Sequence, residues 1–370
     1  MRRSTLTRRQ LLSGLPAAAL ALLSVTALTA SAAEPADGKA PVRVGIVGFD
    51  NYQALAFTQL WHKPFDDNPD LAGLKVVAAW PGGSDDIEET KVDIERWRPR
   101  LIELGVSIED SVEAVLAKVD AVIIMTVDGR AHLPLAEKVL KAGKPAYIGR
   151  PLAGSLEDVI AIFDLSEKYK TPLFSCSQHR YSPGFIGMRN HPEVGEVTGV
   201  SVYGGCPTEP HHAEFFWHSV HSFDTLYTIM GQGVVTVTRA STPDAELVTC
   251  VWKDGRIGTF RGIRKGAIAY SATVFGEKGV AKAGKYGYPA AVNGEVPKSR
   301  YKGYEGVATE IAKFFKSGKN PIPPSETIEL FATMEAAHES ARQDGAPVKV
   351  ADILSAARKK LSAATASAGN

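Results

Sequence analysis

The chain has 370 residues, of which 44% are hydrophobic and 22% are charged, values typical of a globular protein with about two domains. Its formal net charge is +1, and no stretch is dominated by basic residues. This composition excludes the strongly positive surface that nucleic-acid-binding proteins need. We therefore expect a small-molecule ligand and no nucleic acid partner.

The first 32 residues predict an export signal. Four arginines precede the apolar stretch 15–28, which is followed by Ala-Ser-Ala at residues 30–32. This is the pattern of a cleaved signal peptide, and the stretch is too short for a membrane anchor. The sequence TRRQLL at residues 7–12 resembles a twin-arginine signal, with an ordinary secretory signal as the alternative. Loss of the four arginines changes the net charge from +1 to −3, and we expect this mature chain in the periplasm or outside the cell.

From residue 42 onwards the sequence alternates between strand and helix patterns. Five apolar segments predict buried parallel strands at residues 42–48, 74–80, 120–126, 144–149 and 172–177. Between them, apolar residues at helical spacing predict one helix that ends at Gly143 and another that begins after Ser155. The polar segment 84–105 predicts an exposed helix. The alternation predicts a Rossmann-like, doubly wound parallel sheet in an α/β domain that covers residues 41–178.

After Ser177 the sequence changes to alternating β-segments. Asp254 and Gly255 mark a hairpin turn, one helix ends at Gly231, and the C-terminal region returns to helices. This pattern predicts an α+β domain with a large, mainly antiparallel sheet over residues 179–361. The two domains together form an oxidoreductase layout, and the second sheet is a candidate surface for a homo-oligomer.

The loop after the first strand departs from a dinucleotide-binding loop. In VGIVGFDNYQAL, residues 44–55, the pattern G-x-G-x-x-G would begin at Gly48, but Asp50 and Gln53 occupy its other two glycine positions. Because the second glycine lets the backbone approach a pyrophosphate, an aspartate there should repel that ligand. The alternative is that Asp50 or Asn51 caps the first helix. The second strand is followed by WPGG, so the acid that would bind a ribose is also missing.

Two segments carry a resemblance to the Gfo/Idh/MocA oxidoreductases. AVIIMTVDGRAHLPLAEKVLKAGKPAYIGRPLA, residues 121–153, resembles the part of these enzymes that ends in a Glu-Lys-Pro motif. HSVHSFDTLYTIMG, residues 218–231, resembles their G-x-H-x-x-D helix. The resemblance runs from Val42 to about Val350. It implies oxidation or reduction of a sugar, inositol or other polyol with NAD(P), although a few members are glycosidases that use bound NAD transiently.

The same resemblance assigns three catalytic positions. It places the catalytic histidine at His221, the substrate-binding aspartate at Asp224 and the motif's lysine at Arg150. A histidine can accept a proton from a hydroxyl group near neutral pH. An arginine stays charged, so Arg150 would bind and polarise rather than transfer a proton. The family's glycine before the histidine is Ser219 here, which is a further departure.

The resemblance and the loop pattern also predict which residues contact ligands. For NAD(P) these are Gly45, Gly48, Phe49, Asp50, Asn51, Thr126, His132, Gly149 and Arg150. For the substrate they are Arg180, Tyr181, Trp217 and His218. The stretch 211–221 is rich in histidine, but its spacing matches no standard metal site, so we expect no metal there.

Taken together, these features predict an exported oxidoreductase that acts on a carbohydrate or polyol in the cleft between its two domains. Because no free NAD pool exists outside the cytoplasm, an exported oxidoreductase would need a closed cycle with bound NAD. The departures at cofactor positions leave two alternatives open. One is a cofactor-free carbohydrate-binding protein, and the other is a non-redox glycoside hydrolase, with or without a metal.

Overall fold

The structure is a computed structural model that describes residues 40–283 and 303–368. The predicted export signal lies outside these residues. Within the described ranges, no helix is both long enough and apolar enough to cross a membrane.

The first lobe is built on a six-stranded parallel sheet. Its strands are β1 (Val42–Val47), β2 (Leu74–Trp80), β3 (Ser107–Ile108), β4 (Ala121–Ile124), β5 (Ala146–Ile148) and β6 (Leu173–Ser175). They lie in the order β3-β2-β1-β4-β5-β6, which confirms the predicted Rossmann-like sheet. The sequence did not show β3, because a two-residue edge strand has no periodicity to detect. The order reverses between β1 and β4, so the loops that follow these two strands flank the place where such sheets bind ligands.

Five helices connect these strands. They are α1 (Tyr52–His62), α2 (Glu88–Glu103), α3 (Val112–Leu116), α4 (His132–Lys141) and α5 (Leu156–Tyr169). The predicted cap of α5 is confirmed, since Ser155 Oγ accepts a hydrogen bond from the Asp158 amide at 3.1 Å. Helix α2 confirms the helix predicted in the polar segment, but it is not a fully exposed insertion. Its Ile94 and Leu101 are buried in the core that covers one face of the first sheet.

The second lobe contains a seven-stranded sheet. The chain enters it through α6 (Pro183–Ile186), and its strands are β7 (Val197–Gly205), β8 (Val234–Ser241), β9 (Ala245–Trp252), β10 (Ile257–Ile263), β11 (Ser271–Gly276), β12 (Val280–Ala283) and β13 (Val348–Lys349). The strands are antiparallel except for the pairing of β10 with β7, as the sequence predicts. Helix α7 (Val220–Met230) packs on one face of this sheet.

The C-terminal helices are shared between the two lobes. They are α8 (Tyr304–Ser317), α9 (Pro324–Arg342) and α10 (Val350–Ala368). Helix α8 lies in the second predicted domain by sequence, yet it packs on α1 of the first lobe. There Trp61 Nε1 donates to the Ala308 carbonyl at 3.1 Å, and Phe314 contacts Phe174 edge-on at 5.1 Å. In space, therefore, the first lobe contains α8 as well as residues 41–178.

Candidate functional site in the cleft between the lobes

A cleft of about 760 Å³ lies between the loops of the first lobe and the segment that leads into α7. Residues at the start of α1 and α2 line one side of it, and Trp217 and His218 line the other. Arg150, which follows β5, also reaches the cleft. A cavity of this size falls within the range of small-ligand sites.

Four residues form a histidine–tyrosine cluster next to the cleft, namely His179, His218, His221 and Tyr270. The His218 and His221 rings lie 5.0 Å apart between centroids, and the His179 ring lies 5.0 Å from His221 on its other side. Tyr270 Oη is 2.7 Å from His218 Nε2. Of these four residues, only His218 lines the cleft, so the others lie behind it.

Burial keeps the three imidazoles neutral. It lowers the pKa of His218 to about 3 and that of His179 to about 4. The pKa of His221 is also well below its usual value, because burial and the nearby Arg150 charge both disfavour a second positive charge. A neutral imidazole nitrogen can accept a hydrogen bond or a proton from a ligand hydroxyl.

The backbone leading into α7 orients the cluster. Residues Phe215–Ser219 form one turn of π-helix directly before α7. Such turns are rare and occur frequently at functional sites. The sequence pattern predicted a continuous α-helix here, because the positions of apolar residues do not reveal a single wider turn.

His221 and Asp224, the predicted catalytic pair, do not line the cleft. His221 Nδ1 is 2.6 Å from Ser177 Oγ, and the ring is 4% exposed. Asp224 accepts from the Ser177 amide at 2.5 Å and from Arg180 Nε at 2.6 Å. Both of its carboxylate oxygens therefore have protein partners, and Asp224 does not fit the predicted role of holding a substrate hydroxyl in this conformation.

Arg180, which was predicted to contact substrate, is also internal. Its guanidinium group bonds Asp224 and donates to Glu326 at 2.6 Å, and the residue is 5% exposed. Although burial opposes its charge, the two carboxylates raise the pKa of Arg180. The space beside this ion cluster is only about 10 Å³, room for one water at most. Tyr181 packs against the core of the first lobe rather than in the cleft, so its predicted contact with substrate is not seen.

Arg150 and Trp217 do line the cleft, as a substrate-contacting role requires. Arg150 Nη1 donates to the Trp217 carbonyl at 3.2 Å and thereby joins the loop after β5 to the π-helical turn. The Trp217 ring lies 4.7 Å from the His212 ring and is partly exposed.

Two backbone amides of the first loop, those of Gly48 and Phe49, already have partners within the protein. The Gly48 amide donates to the Trp80 carbonyl at 2.8 Å, and the Phe49 amide donates to the Pro81 carbonyl at 3.0 Å. Gly82 packs directly on this loop, because a Cβ atom on it would lie 2.8 Å from Gly48 Cα. The WPGG segment therefore extends the β1–β2 pairing into the position where a dinucleotide pyrophosphate binds backbone amides.

The Asp50 side chain is buried beneath the first loop and bonds it to two neighbouring segments. It is 2% exposed, and its carboxylate accepts from the Val127 amide at 3.0 Å and from Thr90 Oγ1 at 3.2 Å. Burial raises the pKa of Asp50 to about 7. Helix α1 is instead capped by Asn51, whose side chain accepts from the Gln53 amide at 2.8 Å. Of the two residues proposed as the cap, Asn51 has that role and Asp50 does not.

These contacts do not fit a dinucleotide bound at the first loop in the usual way. A pyrophosphate needs free amide donors, whereas the Gly48, Phe49 and Val127 amides donate to carbonyl or carboxylate oxygens of the protein. The side chain that binds the Val127 amide is itself an acid.

Most of the other residues predicted to contact NAD(P) are buried away from the cleft. Gly45 lies within β1, where a Cβ atom would lie 2.6 Å from Val115 Cγ1. Phe49 is 0% exposed in the core of the first lobe. His132 is fully buried between the carbonyls of Thr126 and Leu152, at 3.0 and 3.1 Å. Thr126 and Gly149 are also buried, which leaves Asn51 and Arg150 as the predicted cofactor contacts that line the cleft.

A second cluster joins the two lobes at the rim of the cleft. His212 Nδ1 is 2.8 Å from Glu209, and its Nε2 is 3.1 Å from both the Gly129 amide nitrogen and Asp128 Oδ1. Arg130 in turn binds Asp86 with two hydrogen bonds. Within residues 40–283 and 303–368, no group of three or more His, Cys, Asp or Glu side chains has an arrangement that could hold a metal ion.

Comparison with known proteins identifies the first lobe. The model of the oxidoreductase family with an NAD-binding Rossmann fold, Gfo/Idh/MocA, matches residues 42–175. This match covers 134 of the 370 residues and is confined to the first lobe. An inositol 2-dehydrogenase of Corynebacterium glutamicum is 30% identical over 138 residues, which are 35% of this chain and 40% of that relative. Myo-inositol dehydrogenase Hyg17 of Streptomyces leeuwenhoekii is 27% identical over 217 residues, 52% of this chain and 66% of its own. The chain thus spans less than half the length of the first of these relatives.

Solved structures extend the likeness to the second lobe. A probable dehydrogenase from Thermotoga maritima has a TM-score of 0.66 at 20% identity, with 84% of this chain and 100% of the other covered. An oxidoreductase from Agrobacterium radiobacter, solved with NAD+, L-tartaric acid and magnesium, has a TM-score of 0.67 at 17% identity over 84% and 99% of the two chains. At these identities the likeness establishes the shared two-lobed fold.

Proposed function

We propose that the protein binds a carbohydrate or polyol in the cleft and does so without a dinucleotide bound at the first loop. The observation that carries this proposal is the neutral His218 imidazole that lines the cleft, supported by Tyr270. Relatives named inositol dehydrogenases support the ligand class, since inositol is a polyol.

The chemistry of the cleft suits a ligand rich in hydroxyl groups. With a pKa of about 3, His218 is uncharged at neutral pH, so that one ring nitrogen accepts a hydrogen bond and the other donates one. Arg150 supplies a fixed positive donor next to it. Tyr270 Oη, 2.7 Å from His218 Nε2, fixes the orientation of the ring.

Calorimetric titration with myo-inositol, D-glucose and NAD tests the proposal. We expect heat from at least one of the two hydroxylated ligands, loss of that heat in the His218→Ala variant, and no saturable heat from NAD. Absence of binding by both hydroxylated ligands would overturn the ligand class.

A second candidate is an NAD-dependent oxidoreductase, and the family match over residues 42–175 favours it. Such an enzyme, if exported, would need bound NAD in a closed cycle. Denaturing the purified protein and identifying the released molecule by mass spectrometry distinguishes the candidates. One NAD or NADP per chain would establish the second candidate and exclude the first.

We further propose that the chain is exported by the twin-arginine route and assembles through its second sheet. The export signal would depend on Arg8 and Arg9, and replacing both with lysine should retain the precursor in the cytosol. The open face of the sheet exposes Ile257, Phe275 and Val280. Light scattering should show a dimer or larger assembly that Phe275→Glu disrupts.

A further inference from the structure

The far side of the cleft from His218 carries aromatic rings and carboxylates that the first ligand position does not use. We propose that this side is a subsite for further sugar rings, so that the ligand is a saccharide of at least two rings without phosphate or carboxylate groups. The inference rests on the proposed function and names its substrate class.

The size of the cleft is the first argument. The cavity of about 760 Å³ contains His218 and Trp217 on one side and Tyr52, Tyr304 and the first turn of α2 on the other. Small-ligand pockets begin at roughly 300 Å³, so a single sugar or inositol ring at His218 would leave much of this cleft unfilled.

Aromatic rings on the far side form the second argument. Tyr52 and Tyr304 line the cleft, are partly buried, and have rings 5.9 Å apart. Trp97 does not line the cleft, but its ring lies 5.5 Å from that of Tyr52 and supports it. Rings of this kind combine a large apolar face with a polar group at one edge. The apolar C–H face of a sugar packs on such a ring, while its hydroxyl groups remain available for hydrogen bonds.

The charges on the far side form the third argument. Asp86, Glu88, Glu89 and Asp93 line the α2 side of the cleft, where Asp86 is already bonded to Arg130. A fifth carboxylate, Glu209, lies on the His218 side and contacts His211 and His212. Among the described lining residues, Arg150 supplies the only guanidinium or ammonium group. Carboxylates accept hydrogen bonds from sugar hydroxyls but repel phosphates and acids.

The hydrogen bonds within the first loop leave the far side of the cleft available for a sugar ring. Asp50 and the WPGG segment occupy the amides that would hold a pyrophosphate. A dinucleotide therefore does not compete there, and the Tyr52 ring at the start of α1 faces a cleft without phosphate ligands.

Calorimetric titration with D-glucose and a panel of neutral disaccharides, cellobiose, maltose, lactose, trehalose and chitobiose, tests the subsite. We expect at least one disaccharide to bind about five- to tenfold more tightly than glucose, as expected for one additional ring packed on an aromatic face. The Tyr52→Leu variant keeps apolar packing against Trp97 but removes the flat ring. It should lose this gain and retain the affinity for glucose, with a melting temperature that confirms folding.

The outcomes separate the subsite from the function on which it rests. If glucose binds and no disaccharide binds more tightly, the subsite is excluded and the proposed function stands. A gain that persists in Tyr52→Leu would exclude this placement of the second ring. If neither glucose nor any disaccharide binds, and myo-inositol also fails, the proposed function itself is overturned.

Discussion

Asp50 holds a carboxylate inside a loop whose amides bind phosphate in related folds. The side chain replaces the phosphate as hydrogen-bond acceptor for the Val127 amide, and Thr90 binds its other oxygen. The sequence suggested either repulsion of a ligand or a helix cap. The structure shows instead that this acid ties together the loop after β1, the loop after β4 and helix α2.

The raised pKa of Asp50 predicts how stability depends on pH. Burial raises this pKa from 3.8 to about 7. Because the folded-state pKa lies above the unfolded one, the stabilising contribution is fully present below about pH 4 and is lost as the pH rises through about 7. Ionisation then lowers the free energy of unfolding by up to about 4 kcal/mol, the free energy that corresponds to a pKa shift of this size.

Asp50→Asn removes this titration while both hydrogen bonds are retained, because the amide can accept from Val127 and donate to Thr90 Oγ1. As the pH increases from 5 to 8, we expect the difference in melting temperature between the variant and the unmodified protein to grow by several degrees, in favour of the variant. Thermal unfolding at intervals of half a pH unit measures this. Parallel curves would show that Asp50 does not titrate in this range.

Asp50→Gly tests whether the closed loop is what excludes NAD. The change removes the carboxylate and frees the Val127 amide, and removal of one like charge near a phosphate is worth roughly 1–2 kcal/mol, about 5- to 30-fold in affinity. We expect calorimetry to detect NAD binding in this variant and not in the unmodified protein. Asp50→Asn is the matched control, since it removes the same charge but keeps the Val127 amide bonded. Binding by both variants would assign the effect to the charge, and binding by Asp50→Gly alone would assign it to the opened loop. Tight binding by the unmodified protein would contradict the argument.

At the scale of elements, strand β7 and the start of α7 build the histidine–tyrosine cluster. Gly204 and Gly205 at the end of β7 make room for Tyr270, because a Cβ atom on Gly205 would lie 2.6 Å from the tyrosine Oη. On Gly204 a Cβ atom would lie 2.2 Å from Ser222 Oγ and 2.8 Å from the Tyr270 ring. Two adjacent residues without side chains therefore position the hydroxyl group that binds His218.

Gly204→Ala should displace Tyr270 and weaken the cluster. Overpacking of this kind typically costs 1–3 kcal/mol, and we expect binding of the hydroxylated ligand to weaken as well. The matched control is Gly187→Ala, where a Cβ atom meets nothing within 4 Å and φ is −65°, so stability should be equal or slightly higher. Chemical unfolding and calorimetry measure both effects. Equal stability of the two variants would show that Tyr270 moves without cost.

The same elements show how much the sequence predicts. The alternation of apolar segments predicts the first sheet, and helical spacing places His221 in α7, because both depend on residues close together in the chain. The cluster around His218 could not be predicted in this way. His179 and Tyr270 come from segments far from α7 in sequence, and only the fold brings them together. The π-helical turn that contains His218 could not be predicted either, since no local pattern marks it.

At the scale of the molecule, two sets of charged contacts join distant parts of the chain around the cleft. Arg180, in the connection between the lobes, binds Asp224 of α7 and Glu326 of α9 in the interior. At the rim, His212 of the second lobe contacts Asp128 and Gly129 of the first. Both sets of contacts are buried, since the Arg180, Asp224, His212 and Asp128 side chains are each 6% exposed or less.

His212→Ala should loosen the rim. The His212 side chain is 0% exposed, and its removal leaves the Gly129 amide and Asp128 without this partner, which typically costs 1–3 kcal/mol. We expect a lower melting temperature and faster hydrogen exchange in residues 128–130 and 207–213. His211→Ala is the matched control, because that side chain is 38% exposed and exposed ion pairs contribute little. If both variants exchange at the same rate as the unmodified protein, His212 does not hold the lobes together at the rim.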